Sequence, residues 1–107
     1  MTKQLSDFER QLLEEFCFHR PEERALIPAL EVESRQSEPD GFWCTFATLS
    51  AGQEYCLSLD SEIELASGVP VDAELWYRGE NMWRLHVWSP VQPWTGDTSA
   101  GFRFNEA

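Results

Sequence analysis

Residues 69–89, VPVDAELWYRGENMWRLHVWS, decide how this chain folds. Two alternating runs flank a Gly-Glu-Asn break, the pattern of a β-hairpin. Three of the five tryptophans lie here: Trp76, Trp83 and Trp88. Side-chain parity selects the register. With Glu80-Asn81 as the loop, Tyr77 faces Arg84 and Leu75 faces His86, so apolar side chains oppose polar ones. A slip of one residue exchanges every face, which disfavours that register. With Gly79-Glu80-Asn81 as the loop, Tyr77 faces Trp83, Leu75 faces Leu85 and Ala73 faces Val87. One face is then wholly apolar, and Gly or Asn suits the left-handed loop position. A loop of five residues keeps the same parity.

The other face of this hairpin pairs Arg78 with Met82, Trp76 with Arg84, Glu74 with His86 and Asp72 with Trp88. Trp and Arg are the side chains most enriched where binding energy concentrates. Two readings of this face stand side by side. Either helices cover it or Arg84 merely stacks on Trp76 as a cation–π pair, or else it is an exposed binding face.

Outward from the hairpin, residues 5–18 read as an amphipathic helix. Ser6 and Glu9 have capping-box spacing. Leu5, Phe8, Leu12 and Phe16 form one stripe, with Leu13 beside it, opposite Asp7, Arg10, Glu14 and Glu15. Pro21 suits the first turn of a second, short helix, with Glu22 and Glu23 at its positive end. Pro28 ends it, after Leu26 and Ile27 are buried. Leu30, Val32 and Ser34 then alternate with Glu31, Glu33 and Arg35 as a half-buried strand. Residues 37–41, SEPDG, make a turn. Residues 42–49 form a central strand, with Phe42, Cys44 and Phe46 on one face and Trp43, Thr45 and Ala47 on the other. Ser50-Ala51-Gly52 is a further turn, and Tyr55, Leu57 and Leu59 alternate with Cys56 and Ser58 in a third strand. Ile63 and Leu65 fit either a strand or a helical turn, and residues 60–68 read as a loop. Residues 90–107 are either a mobile tail or a short last strand at Phe102-Arg103-Phe104. The expected fold is α+β in a single domain, with a helix and a short second helix packed on one face of an antiparallel sheet of four or five strands.

Charge narrows the partners. The chain of 107 residues carries 19 acids against 8 bases, a net charge of -11. Phosphate neutralisation needs Lys and Arg, so nucleic acid and anionic membrane are excluded as expected partners. Residues 36–77 hold no Lys or Arg, but do hold Glu38, Asp40, Glu54, Asp60, Glu62, Glu64, Asp72 and Glu74. Asp60, Glu62 and Glu64 share a face if that segment is extended. Such a field keeps a protein soluble or steers a basic partner towards it. Asp60, Glu62 and Glu64 lack the Gly and the distal Glu of a calcium loop.

Cys17, Cys44 and Cys56 have no C-x-x-C spacing and read as reduced thiols of a cytoplasmic protein. The first residues lack a signal-peptide core, and no apolar run approaches a membrane span. A cysteine with His86 would make a nucleophile and base only if folding joined them. No P-loop, dinucleotide fingerprint or G-x-S-x-G motif is present. No cofactor or metal is expected, and the chain reads as non-catalytic. The alternative is a small-molecule or sensing domain, with Trp43, Trp83 and Tyr77 lining a pocket. A homodimer through the hairpin face or a sheet edge is a third arrangement.

Leu12-Leu13, Arg35, Gly41-Phe42, Gly68, Gly79 and Pro93-Trp94 are short motifs spread over most of the chain. On them the chain resembles a group of small bacterial proteins with an N-terminal Leu-Leu helix, a strand with Arg before a Gly-Phe turn, a late hairpin and a Trp-Pro-like end. It departs from that pattern in carrying Pro-Trp. Its acidic α+β build is also similar to that of bacterial immunity proteins. That resemblance implies an inhibitor that occludes a basic toxin. Its contact residues would be Trp76, Trp88, Arg84 and His86, with Asp60, Glu62, Glu64, Asp72 and Glu74 supplying the acidic field.

Overall fold

The computed structural model describes residues 4–47, 55–59, 61–77 and 82–106. Helix α1 spans Asp7–Phe16. Its start is a full capping box: the Glu9 N–H donates to Ser6 Oγ at 3.1 Å, and the Ser6 N–H donates to Glu9 Oε1 at 2.8 Å. Each bond satisfies a backbone donor that the first turn would leave orphaned. Phe8, Leu12, Leu13 and Phe16 are buried, as their spacing requires. A short helix α2 (Pro21–Arg24) follows, with proline in its first turn, and then a 3₁₀ turn over Ile27–Ala29. Ile27 is buried and Leu26 partly so.

Five antiparallel strands form the main sheet, in the order β1-β2-β6-β5-β3. They are β1 (Glu31–Glu38), β2 (Gly41–Ala47), β3 (Tyr55–Ser58), β5 (Asp72–Tyr77) and β6 (Met82–Trp88). The hairpin register is the one parity selects: Tyr77 pairs with Trp83, Leu75 with Leu85 and Ala73 with Val87. The loop at 78–81 and the turn expected at 50–52 lie outside the described residues. Pro39-Asp40 turns β1 into β2 within the expected 37–41 segment. Gly41 follows because a Cβ there would meet the Val87 carbonyl oxygen at 2.0 Å. No larger residue lets β2 start this close to β6.

Residues 60–68 are not simply a loop. Strand β4 (Ser61–Leu65) pairs antiparallel with β7 (Phe102–Glu106), which includes the Phe102-Arg103-Phe104 segment. The expectation of a loop fails because the ambiguous Ile63 and Leu65 find a ladder partner forty residues downstream, which no local pattern announces. An Ile63–Val71 bridge ties this second sheet to the first. Helix α1 spans the space between them. Phe8 packs edge-on against Phe102 at 5.1 Å and also against Phe104 at 6.1 Å. At the other end of α1, Cys17 Sγ lies 3.7 Å from the Tyr77 hydroxyl.

Strand β1 corrects a second expectation. Simple alternation puts Ser34 inward and Arg35 outward. The register shifts between Val32 and Ser34, so Arg35 pairs with Cys44 and faces the same way as Val32. An extra residue in one strand reverses parity beyond it. Arg35 thereby reaches Glu9, which is 2 % exposed. Arg35 Nη2 donates to Glu9 Oε1 at 2.7 Å and Arg35 Nε donates to Glu9 Oε2 at 3.1 Å. A second Nη2 bond reaches the Gln4 carbonyl at 3.0 Å. Burial pushes the Glu9 carboxyl up. The Arg35 hydrogen bonds, the Ser6 N–H and the Arg35 charge together outweigh burial and hold Glu9 below its ordinary value of 4.5.

A carboxyl whose folded pKa is depressed stabilises the fold above its unfolded pKa, and that stability is lost as pH falls through the folded value. Unfolding free energy should therefore drop as the protein is acidified below about pH 4.5, and Glu9→Gln should flatten that part of the curve. Breaking a fully buried pair costs roughly 3–5 kcal/mol. The Arg35 side chain is 40 % exposed, so Arg35→Met should cost about 2 kcal/mol at neutral pH in urea unfolding. A Glu9→Gln protein with the parent's acid slope would contradict this assignment.

Candidate functional site

Helix α1 and the second sheet both pack on one face of the main sheet. The side chains of the opposite, outer face are set by register. Ser34, Gln36 and Glu38 come from β1, with Thr45 and Trp43 from β2. Arg84, His86 and Trp88 come from β6, facing Trp76, Glu74 and Asp72 of β5. Cys56 and Ser58 of β3 complete the face. Trp43, Trp76, Arg84, His86 and Trp88 are each only partly buried. Among the described residues, no helix covers this face.

Flat groups run in contact along it. Trp43 and His86 are stacked, with centroids 4.0 Å apart and planes 2° apart. His86 also stacks on Trp88 at 4.7 Å. The Arg84 guanidinium lies 4.4 Å from the Trp43 ring centroid. Trp43 is thus the aromatic partner the structure gives Arg84, where the sequence suggested Trp76. His86 Nε2 and Glu38 Oε1 are 2.9 Å apart. An ionised carboxylate only accepts, so the imidazole proton belongs on Nε2. On β5, Trp76 Nε1 donates to Glu74 Oε2 at 3.0 Å, and Cys56 Sγ lies 3.5 Å from the same oxygen.

The fold gathers Trp76, Trp88, Arg84, His86, Asp72 and Glu74 on one surface, as their parity requires. It does not place Glu62 and Glu64 on this face, although Glu62 lines a cleft with Asp72 at its border. Glu62 and Glu64 belong to β4 of the second sheet, where Arg103 Nη2 meets Glu64 Oε1 at 2.9 Å and the Asn105 amide donates to Glu64 Oε2 at 3.0 Å. The Arg103 and Asn105 hydrogen bonds lower the Glu64 pKa. Asp60 lies outside the described residues.

Two participants were overlooked by sequence reasoning, Trp43 and Glu38. The signal for Trp43 was present in its parity, opposite to Phe42 and Cys44. Glu38 belongs to β1 beyond the bulge, so its face could not be counted from Val32. Trp43, Trp83 and Tyr77, expected to line one pocket, do not share a face of the sheet. Tyr77 and Trp83 pack on each other at 5.0 Å in the core, while Trp43 lies across the sheet.

The cysteines are not poised for nucleophilic work. Cys17 and Cys44 are fully buried. Burial raises both thiols, Cys17 against a Tyr77 hydrogen bond and Cys44 with the help of the Glu9 charge. Cys56 is on β3, with β5 between it and the His86 strand. Partial burial and Glu74 raise its thiol too. Among the described residues no group of three or more His, Cys, Asp or Glu side chains is placed to hold a metal ion. No described helix is long and apolar enough to cross a membrane.

The Trp43–Arg84 contact is a measurable pair. A double-mutant cycle with Trp43→Ala and Arg84→Ala should give a coupling of about 0.5–1 kcal/mol, the range for a partly exposed cation–π pair. A coupling of zero would mean that the guanidinium does not rest on the indole.

No protein-family model, curated protein or solved structure matches this chain.

Proposed function

We propose that this chain is a non-catalytic interaction module that binds a basic protein through the outer face of its five-stranded sheet. The observation that carries the reading is the row Arg84, Trp43, His86 and Trp88, with Trp76 beside it, which no helix covers among the described residues. A sheet face given to solvent alone needs no cluster of three tryptophans, each costing exposed apolar area. The same side chains, desolvated by a partner, supply the anchors on which protein interfaces rely. Glu38, Asp72 and Glu74 lie among them, and the chain as a whole carries -11. That field favours a basic partner and speeds its encounter. A cytoplasmic inhibitor of the bacterial immunity type, occluding a basic toxin, combines these properties. The free Cys17, Cys44 and Cys56 thiols accord with a reducing compartment.

The small-molecule reading built on Trp43, Trp83 and Tyr77 gains no support, because Trp43 lies on the face of the sheet opposite to the other two. Affinity capture with the intact chain as bait tests the proposal. A basic protein should be retained at low salt and released as salt screens the acidic field. Trp76→Ala and Trp88→Ala should each weaken that complex by about 2 kcal/mol, near thirty-fold, mainly through faster dissociation. A complex indifferent to both substitutions would overturn the proposal. So would a stable homodimer by size exclusion that buries this same face.

A further inference from the structure

The outer face is not uniform in what its groups still have to offer. Trp43 has His86 at 4.0 Å and Arg84 at 4.4 Å. Glu38 is engaged by His86. Glu74 Oε2 takes the Trp76 indole N–H and lies within reach of Cys56. At the end of the row, Trp88 meets one ring among the described residues, that of His86, at 4.7 Å. Asp72 stands directly opposite Trp88 in the ladder. Among the described residues its carboxylate receives only the neighbouring Ala73 N–H, at 2.8 Å to Oδ1, and the residue is exposed. Trp88 and Asp72 are therefore an indole and a carboxylate with capacity left, side by side at the rim.

A cleft opens on the Asp72 side of this pair. Its volume is about 490 Å³, and Asp72 and Glu62 line it among the apolar side chains Leu59, Ile63, Val71 and Pro90. Among the described residues, no Lys or Arg lines it. Asp72 and Glu62 accordingly have no cationic neighbour among the described residues of the cleft.

We propose that Trp88 and Asp72 form the position at which the outer face takes an arginine side chain of its partner. A planar guanidinium stacks on an indole and forks onto a carboxylate at once, whereas an ammonium is a compact, strongly hydrated charge. The apolar walls beside Asp72 accommodate the aliphatic stem of such a residue. Arg84 on Trp43 is this chain's own instance of the same stacking, one strand away. The assignment rests on reading the outer face as an interface, and adds which chemical group of the partner is read and where.

The probe is a short labelled oligo-arginine peptide, followed by fluorescence anisotropy against the intact chain at fixed salt. An oligo-lysine peptide of equal length and charge is the comparison. Oligo-arginine should bind more tightly by about five-fold, and Trp88→Ala should remove that preference without altering net charge. Asp72→Asn should weaken oligo-arginine by a similar factor. Glu14→Gln removes the same unit charge from the exposed side of α1 and should change binding less than about two-fold. Circular dichroism of each variant, with Trp88→Phe as the conservative substitution, separates loss of binding from loss of fold. Equal binding of the two peptides would overturn the assignment, and so would equal losses for Asp72→Asn and Glu14→Gln. If capture of a basic protein depends on Trp76 while oligo-arginine ignores Trp88, only the arginine assignment falls.

Discussion

One long helix can cover only one side of a sheet, and the rest of this structure follows from that constraint. Helix α1 is amphipathic and buries a single stripe. The hairpin register gives the sheet one apolar face to receive it, through Ala73, Leu75, Tyr77, Trp83, Leu85 and Val87. The second sheet closes over α1 with Phe102 and Phe104. Nothing of comparable size is left, among the described residues, for the other face. That face has to be stable towards water without a cover. It manages this by pairing its own aromatic and polar groups, as Trp43 does with His86 and Arg84, and Trp76 with Glu74.

The helix is held at its position by a second, more local device. Glu9 serves at once as the capping-box side chain for Ser6 and as the partner of Arg35. A carboxylate this deeply buried is costly unless it is paired and hydrogen-bonded. Here two guanidinium nitrogens and a backbone N–H supply three donors to its two oxygens. One side chain therefore links the start of α1 to the edge strand β1. The bulge that turns Arg35 inward also breaks the regularity of that edge. A bulge and exposed charges such as Glu31 are means by which open strand edges avoid pairing with other chains.

Much of this was legible in the sequence, and the exceptions have physical causes. The capping box, the buried stripe of α1, the two-faced β2 strand and the hairpin register all depend on spacing within a single segment. Period and parity report such spacing faithfully. The bulge in β1 does not, because no residue type at Glu33 marks it and the Glu9 side chain that Arg35 meets beyond it lies 26 residues away in sequence. Strand β4 was missed for the same reason, since its partner β7 lies far along the chain. Once those long-range terms act, the acidic residues separate. Asp72 and Glu74 join the tryptophans, whereas Glu62 and Glu64 take their places on the second sheet. The outer-face residues of β5 and β6 were recognisable from parity alone. That helices leave them uncovered required the three-dimensional packing.

The exposure of the outer face is the point on which the account stands, and the indole N–H signals of the five tryptophans report it directly. A soluble gadolinium chelate broadens the resonances of groups near solvent in a proton–nitrogen correlation spectrum. Trp83 is 3 % exposed and Trp94 6 %, so both should keep sharp signals. Trp43, Trp76 and Trp88 should broaden together. Protection of Trp76 and Trp88 equal to that of Trp83 in the monomeric protein would mean that the face is covered from within, and would contradict the account.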